Sequence, residues 1–472
     1  MRTRIALALI ASLTGITLVG ACGGMGSGPD AAESSAGVRR AVTQGSATPA
    51  SAAASDGDGG AYAGGYEGGD VGAYEAAEAP PSPSGGEVSV TTTTTTTTTV
   101  TVDTLVEAEP STEPQYEPQA SLTAASVGDM DRRGPYLDYL ARHRGEANAL
   151  GLRMDRRLRF RVVDATGRPV NDAGIVLHGV QTPHQVRGRT HADGIWDFYP
   201  SVSLPNFAGD LRATITAGQV RGTARVTIPR HGDGQEITLR LDGAQAQAPR
   251  LLDLAFLIDV TGSMEDELRY VNREVTEIVH RVREEAPETQ VRVGATFYRD
   301  RTDRHVVQQI PFTENITGFA QAMRGIRASG GGDYPEDLNA GLDAALSRLQ
   351  WREGNTVRVL VVIADAPPKR YGDAQFTYHH AMIRAAAQGI RILPVAASGA
   401  DRTVEYLFRA MGAFTSTPYV YLTDDSGIGN PHMEADTDRV AVEYFNDLLT
   451  RLVVSDLRGH GMHEPGQFAA PE

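Results

Sequence analysis

Apolar strands and amphipathic helices alternate along the C-terminal part of the chain, from residue 251 to residue 455. Five apolar runs predict buried strands, at residues 254–258, 291–297, 359–363, 390–395 and 419–422. Apolar residues that recur every three or four positions predict helices, at residues 268–282, 338–349, 376–388, 403–411 and 440–452. An antiparallel edge strand is expected at residues 305–310, because Pro311 follows it. The alternation predicts an α/β fold with a doubly wound, mainly parallel sheet.

A different periodicity precedes this region. Between residues 155 and 243, short segments alternate apolar and polar residues, and turn signals separate them. A period of two with regular turns predicts a small all-β sandwich. Trp196 is expected in its core, although a ligand-binding face around this residue is an alternative.

The first 130 residues contain too few large apolar residues to form a folded domain. Residues 1–21 resemble a secretory signal, with two arginines before a short apolar run. The run ends in Leu-Val-Gly-Ala-Cys at residues 18–22, which resembles the lipobox of bacterial lipoproteins and implies a lipid on Cys22. The alternative is an ordinary signal peptide with a stray cysteine, although Cys22 is the only cysteine of the chain.

The rest of the composition bears on location and partners. Residues 22–130 are predicted to form a disordered, low-complexity stalk, and residues 456–472 a flexible tail. A lipid on Cys22 would anchor the protein in the cell envelope, on the outer membrane if the cell has one. The formal net charge is −15 and Lys369 is the only lysine, which argues against nucleic acid as a partner.

Polar residues with oxygen ligands follow the predicted strands at three places. They lie in the run 259–263, in the glycine-rich loop 330–337 and at residue 365, just after the strand at 359–363. The candidate metal ligands are Asp259, Thr261, Ser263, Asp333, Glu336 and Asp365. In open α/β sheets, ligands bind outside the carboxyl ends of the strands. Carboxylates and hydroxyls suit a hard cation, so we expect Mg²⁺, or alternatively Mn²⁺ or Ca²⁺.

The motifs at these places are Asp-Val-Thr-Gly-Ser-Met, Gly-Gly-Gly-Asp-Tyr-Pro-Glu and Asp-Ala, in this order. Together they resemble the von Willebrand factor A domain, specifically its hemicentin-like and bacterial versions, across residues 251–455. The resemblance implies a metal-ion-dependent adhesion site in which Thr261 and Ser263 bind the cation directly. It also implies that Asp259 and Asp365 hold the cation directly or through water. Residues 163–170 and 189–196 resemble, with lower specificity, a carboxypeptidase-regulatory or transthyretin-like sandwich.

The second loop departs from the family pattern, because the usual threonine has no counterpart here. Glu336 or Asp333 stands in its place, and an extra carboxylate would weaken the attraction of the cation for an acidic partner. Alternatively, Glu336 caps the following helix and does not touch the metal. The run 259–263 also has a simpler interpretation, as a strand-to-helix turn in which a hydroxyl caps the helix.

The sequence leaves three possible functions open. The leading hypothesis is a surface lipoprotein that binds a protein or glycan partner through the cation, with the partner supplying an acidic oxygen. The alternative is a structural or assembly component of the envelope, in which the A domain is a scaffold and the cation only stabilises loops. A metal-assisted hydrolase comes third, since only Glu336 or Asp333 could act as a base, and we expect no enzymatic activity. Tyr298-Arg299-Asp300, after the second predicted strand, also resembles the bacterial versions of this domain, and the alternative is a surface ion pair between Arg299 and Asp300.

Overall fold

The computed structural model of the protein describes residues 121–180, 185–230, 235–332 and 334–463. The predicted signal peptide with Cys22, the stalk as far as residue 120, Asp333 and residues 464–472 lie outside the described residues. No helix in the described part of the chain is long and apolar enough to cross a membrane.

Strands and helices have the following bounds. The strands are β1 (Thr123–Val127), β2 (Leu158–Val163), β3 (Gly174–Gly179), β4 (Gln185–Arg189), β5 (Ile195–Phe198), β6 (Gly209–Ala217), β7 (Val220–Ile228), β8 (Gln235–Arg240), β9 (Leu251–Asp259), β10 (Gln290–Tyr298), β11 (Val307–Thr313), β12 (Thr356–Ala364), β13 (Ile390–Ala396), β14 (Tyr419–Leu422) and β15 (Glu443–Tyr444). The helices are α1 (Arg133–Arg142), α2 (Arg144–Leu150), α3 (Pro200–Ser203), α4 (Glu265–Glu285), α5 (Ile316–Arg324), α6 (Leu338–Ser347), α7 (Tyr378–Gln388), α8 (Arg402–Phe414) and α9 (Phe445–Leu457).

A large sheet has the strand order β11-β10-β9-β12-β13-β14-β1-β15. The five strands from β10 to β14 are parallel, and β11, β1 and β15 are antiparallel to their neighbours. Side chains of β9 alternate between the two faces, because Phe256 packs in one apolar cluster and Leu257 in the other. Helices α4 and α9 cover the first face, and α6, α7 and α8 cover the second. The predicted α/β fold with a mainly parallel sheet is confirmed.

Two small sheets lie between β1 and β9 in the sequence. Their strand orders are β5-β2-β8 and β4-β3-β6-β7. Trp196 is 2% exposed and stacks on Phe160, with ring centroids 5.2 Å apart, so it is a core residue and not part of a binding face. Tyr199 stacks on Phe414 of α8, and the small sheets therefore share their apolar core with one face of the large sheet. Their likeness to a carboxypeptidase-regulatory sandwich stays a prediction.

Two described segments that the composition assigns to the stalk and the tail are structured and buried. Residues 123–127, which we placed in the stalk, form β1 between β14 and β15, and all five are buried. In the predicted flexible tail, Asp456 and Met462 are also buried. The stalk boundary at residue 130 and the tail boundary at residue 456 are therefore wrong. Small residues such as Ala124 and Ala125 carry little apolar signal, although they suit a strand enclosed on both sides.

The observed bounds of two elements differ from those that the sequence pattern predicts. The last helix begins at Phe445 and not at residue 440, because residues 443–444 pair with β1 as a short strand. The edge strand β11 is antiparallel as predicted, but it runs through Pro311 to Thr313. A register shift opposite Val293–Ala295 accommodates the proline, which needs no hydrogen-bond partner at an edge.

Gly188 on β4 gives a test of how closely the small sheets are packed. A Cβ atom added there would lie 2.0 Å from Cε2 of Trp196, which is far inside van der Waals contact. We expect Gly188→Ala to lower the free energy of unfolding by about 1–3 kcal/mol, because the core has no room for the methyl group. Urea unfolding followed by circular dichroism measures this change.

The matched control is Gly134→Ala in α1, where an added Cβ would meet nothing within 4 Å. This change should leave the stability equal or slightly higher, because alanine favours a helix more than glycine does. Equal stability of the two variants would contradict the packing that we describe around Trp196.

Candidate metal site

The first loop of the site follows β9. Asp259 is the last residue of this strand and is fully buried. Its Oδ1 atom accepts hydrogen bonds from the Thr261 backbone N–H at 2.9 Å and from the Thr261 hydroxyl at 2.7 Å. The Thr261 and Ser263 hydroxyl oxygens are 3.2 Å apart. Neither side chain caps the following 3-10 turn or α4, so the interpretation of this run as a helix-capping turn is wrong.

The third loop meets the first because their strands are neighbours. β9 and β12 are parallel and paired, with Ile258 opposite Ile363, so Asp259 and Asp365 leave the sheet side by side. Asp365 is 3% exposed. Burial raises the pKa of its carboxyl group, and the nearby Ser263 hydroxyl opposes this rise.

The second loop contributes Glu336, which is 5% exposed. Its backbone N–H donates to the Pro367 carbonyl at 3.2 Å, and its carbonyl accepts from the Lys369 N–H at 2.7 Å, so the second loop is held against the third. Gly331, also in the second loop, packs between Glu336 and Thr261 of the first loop. A Cβ atom added to Gly331 would lie 2.6 Å from Glu336 Oε1 and 3.1 Å from Thr261 Cβ.

Helix α6 is capped by Asp337 and not by Glu336. Asp337 is its N-cap residue, and Asp337 Oδ1 accepts a hydrogen bond from the Ala340 N–H at 3.1 Å. Glu336 lies one residue before the cap, and its role as the helix cap is therefore wrong. Its carboxylate instead lies close to Gly331, near the start of the same loop. Asp333, the other candidate of this loop, lies outside the described residues.

Three carboxylates are crowded together, and we call Asp259, Glu336 and Asp365 the site carboxylates. Burial and then the charge of Asp365 raise the pKa of Asp259 to about 7. Burial and the neighbouring carboxylates, Asp259 first, raise the pKa of Glu336 to about 8. Each carboxylate has one buried oxygen without a hydrogen-bond partner, namely Asp259 Oδ2, Glu336 Oε2 and Asp365 Oδ1. Buried polar atoms are normally paired, so these oxygens are suited to a cation.

The site carboxylates do not form a ready carboxylate cage. Among the residues that the structure describes, no group of three or more His, Cys, Asp or Glu side chains is arranged to hold a metal ion. Any cation here would therefore depend on the hydroxyl oxygens of Thr261 and Ser263 as well as on carboxylates. Such a mixed oxygen set fits the chemistry of Mg²⁺, which uses few carboxylates and keeps some of its water.

Comparison with known proteins bears on this region. Residues 253–403 match the family model of the von Willebrand factor A domain. The chain contains a von Willebrand factor A domain. The match includes all three loops of the candidate site.

Two curated proteins are similar to parts of the chain. The alpha-protein kinase vwkA of Dictyostelium discoideum is 28% identical over 130 residues, which are 27% of this chain and 20% of that protein. An ariadne-like RING finger protein of Acanthamoeba polyphaga mimivirus is 32% identical over 125 residues, which are 26% of this chain and 12% of that protein. The chain thus spans about a fifth and about an eighth of the length of these two relatives.

Two solved structures also align with part of the chain, with low TM-scores. The pilus adhesin SpaC from Lactobacillus rhamnosus GG, in its open conformation, has a TM-score of 0.32 and 12% identity, over 53% of this chain and 32% of that one. The protein BatB from Bacteroides thetaiotaomicron has a TM-score of 0.25 and 14% identity, over 44% of this chain and 87% of that one.

Two tyrosines lie near the A-domain site, and of these only Tyr334 was not identified from the sequence. Tyr298, at the end of β10, is fully buried, and burial followed by the charge of Asp259 raises the pKa of its phenol. Tyr334, in the second loop, is 51% exposed and lies near Asp401 and Asp365. Tyr298 could be identified only through the resemblance of Tyr298-Arg299-Asp300 to bacterial A domains, because the apolar run of β10 alone does not distinguish a site residue from a core residue.

Arg299 and Asp300 do not pair with each other. The Arg299 guanidinium donates to the carbonyls of Val260 and Arg327, at 3.2 and 2.8 Å, and so braces the first loop. Asp300 is fully buried and accepts from Lys369 Nζ at 2.7 Å. The expectation of a surface ion pair is therefore wrong. The single lysine of the chain was a signal for this contact, because it lies four residues after Asp365.

The raised pKa values predict an unusual pH dependence of stability when no divalent cation is bound. Asp259 and Glu336 have ordinary pKa values of 3.8 and 4.5, and both are raised in the folded protein. The folded state therefore holds protons that the unfolded chain loses above about pH 4. We expect the free energy of unfolding in EDTA to fall as the pH rises from about 4 to about 8.

Urea unfolding at several pH values in EDTA measures this slope. Asp259→Asn should flatten it, because one buried carboxylate no longer titrates. Asp425→Asn, at an exposed position, is the control and should retain the wild-type slope. A stability that rises over this pH range in EDTA would contradict the crowding of the site carboxylates.

Proposed function

We propose that the protein binds a protein or glycan partner through a divalent cation held at the carboxyl edge of the A-domain sheet. The observation that carries the proposal is the group of three buried carboxylate oxygens without hydrogen-bond partners, beside the hydroxyls of Thr261 and Ser263. A cation would compensate the negative charge that burial makes costly. A lipid on Cys22 would hold the protein in the cell envelope, on the outer membrane if the cell has one.

Each loop would have its own part in such a site. Thr261 and Ser263 would bind the cation with neutral oxygens, and Asp259 and Asp365 would hold it directly or through water. The cation would supply Lewis acidity toward an acidic oxygen of the partner. The carboxylate of Glu336 adds negative charge, which would lower the affinity for that acidic group. The proposed cation is Mg²⁺, with Mn²⁺ and Ca²⁺ as alternatives.

An exposed aromatic side chain supports a contact surface beside the site. Tyr334 is 51% exposed, although it lies near the buried Asp365. Tyrosine is enriched among residues that contribute most to binding energy, because its ring buries a large area and its hydroxyl can form hydrogen bonds. Tyr334 is therefore the residue that we expect to contact the partner next to the cation.

The second candidate function is a structural component of the envelope, in which the A domain is a scaffold. Contacts that need no metal already join the loops, since Arg301 donates to Asp337 at 3.0 Å and to Asp373 at 2.7 Å. In this case a cation would only stabilise the loops. We propose no catalytic role, and the names of the kinase and RING relatives apply to proteins of which the chain spans a small part.

Cation binding can be tested with the full chain by its melting temperature in EDTA and in increasing Mg²⁺. We expect a rise with Mg²⁺ concentration, because a ligand of the folded state stabilises it by mass action. Asp259→Ala should abolish this dependence, whereas Asp425→Ala should retain it. A melting temperature of the wild type that does not respond to Mg²⁺, Mn²⁺ or Ca²⁺ would remove the cation from the proposal.

Partner binding can be separated from a scaffold role by crosslinking on intact cells, followed by purification of the tagged protein. We expect capture of the partner to require Mg²⁺, and to weaken by about 5-fold to 30-fold in Tyr334→Ala, the effect of losing one central aromatic contact. Because Tyr334 is exposed, the Mg²⁺ dependence of the melting temperature should not change in this variant. Equal capture in EDTA and in Mg²⁺ would favour the scaffold function.

A further inference from the structure

The large sheet ends in an exposed edge at β15. Within the described residues, β15 pairs with β1 on one side, with Thr123 opposite Tyr444 and Ala124 opposite Glu443, and no strand pairs with its other side. Residues 439–442 lead into β15 without a helix or turn. An unpaired edge presents backbone N–H and C=O groups that another strand can use.

Apolar side chains are concentrated at this edge. Among the described residues, large apolar side chains are exposed at only a few positions, which are Val180, Tyr334, Val440, Val442 and Tyr444. Three of them lie at alternate positions within five residues, with exposed fractions of 56%, 44% and 56%. We call Val440, Val442 and Tyr444 the edge stripe. In an extended segment, alternate side chains point to the same face.

The contacts of Glu443 show which face of β15 carries the edge stripe. Its carboxylate accepts hydrogen bonds from the Arg451 guanidinium of α9, at 2.5 and 3.2 Å, so Glu443 faces this helix. Tyr444 is the next residue of the strand, so its side chain points to the opposite face from Glu443. Helix α9 follows the edge stripe directly in the sequence, but it does not cover the stripe.

We propose that β15 pairs with β15 of a second copy of this chain, in an antiparallel arrangement about a two-fold axis at Val442. In this register Val442 faces the partner's Val442, and Val440 faces the partner's Tyr444. A β-branched residue opposite an aromatic residue is a favourable cross-strand pair. The two stripes then form one continuous apolar band, and the two sheets become one.

The other face of the same register is also complementary. Arg439 is exposed, and it would lie diagonally across from the partner's Glu443. Diagonal neighbours on one face are within reach of long side chains, so opposite charges would meet on both sides of the axis. The same segment thus matches itself in shape on one face and in charge on the other, as a symmetric dimer requires.

The size of the contact predicts its strength. Stable interfaces bury about 800 Å² on each partner, and three side chains with a short strand provide less than that. We therefore expect a weak dimer that depends on protein concentration. The contact is independent of the proposed cation, because β15 is separated from β12 by β13, β14 and β1.

Disulfide trapping in the full chain tests both the contact and its register, with Cys22→Ser as the background so that no other cysteine is present. Val442→Cys should form a covalent dimer under mild oxidation, because the two Cα atoms at the axis lie within the 4.4–6.8 Å that a disulfide needs. Val440→Cys and Tyr444→Cys should each give little dimer alone and a crosslink when mixed. Val180→Cys, exposed elsewhere, is the control for random collision.

Sedimentation at several protein concentrations provides a second measurement. Val442→Arg should raise the dissociation constant of the dimer by about ten-fold or more, because two like charges would face each other at the axis. Its circular dichroism spectrum should match that of the wild type, since Val442 is exposed. The proposal is overturned if Val442→Cys gives no more covalent dimer than Val180→Cys, or if the single variant at Val440 dimerises as well as the mixture.

Discussion

The candidate site depends on one constraint, which is the parallel pairing of β9 with β12. Because these two strands are neighbours and Ile258 pairs with Ile363, Asp259 and Asp365 leave the sheet side by side. Both carboxylates are buried, so their charges are costly in the absence of a compensating charge. The glycine-rich second loop adds to this cost, since Gly331 allows Glu336 to approach the same place.

Several buried aspartates elsewhere in the protein form ion pairs with arginine. Asp253, near the amino end of β9, is fully buried and accepts from Arg292 and Arg352, at 2.6 and 2.8 Å. Other buried carboxylates also have guanidinium partners, namely Asp129 with Arg409 and both Asp193 and Asp456 with Arg391. The site carboxylates form no ion pair with any described residue. A chain so rich in arginine can neutralise buried acids where structure alone requires it, so their unpaired state at this edge is more consistent with a ligand than with a structural role.

The sequence predicts the large sheet well because its strands are long apolar runs and its helices have strong periodicity. It also identifies the loops at 259–263 and 365, since parallel strands bring their carboxyl ends to one edge. It does not predict β1, whose small residues resemble the low-complexity segment before it. It does not predict the partner of Asp300 for another reason, because the contact with Lys369 arises only when separate loops fold against each other.

The symmetry of the proposed dimer determines how its two proposed cation sites are oriented. A two-fold axis perpendicular to a sheet reverses the direction of its strands, so the carboxyl edges of the two A domains would point to opposite ends of the continuous sheet. The two cation sites could then not bind one small partner together, but they could bind two partners or two distant parts of one. With the proposed lipid anchor, neighbouring chains would share one surface, and tethering would raise their effective concentration enough to favour a weak dimer. A weak edge contact and an acid-rich site of modest affinity would thus act together through avidity, and neither would need to be strong alone.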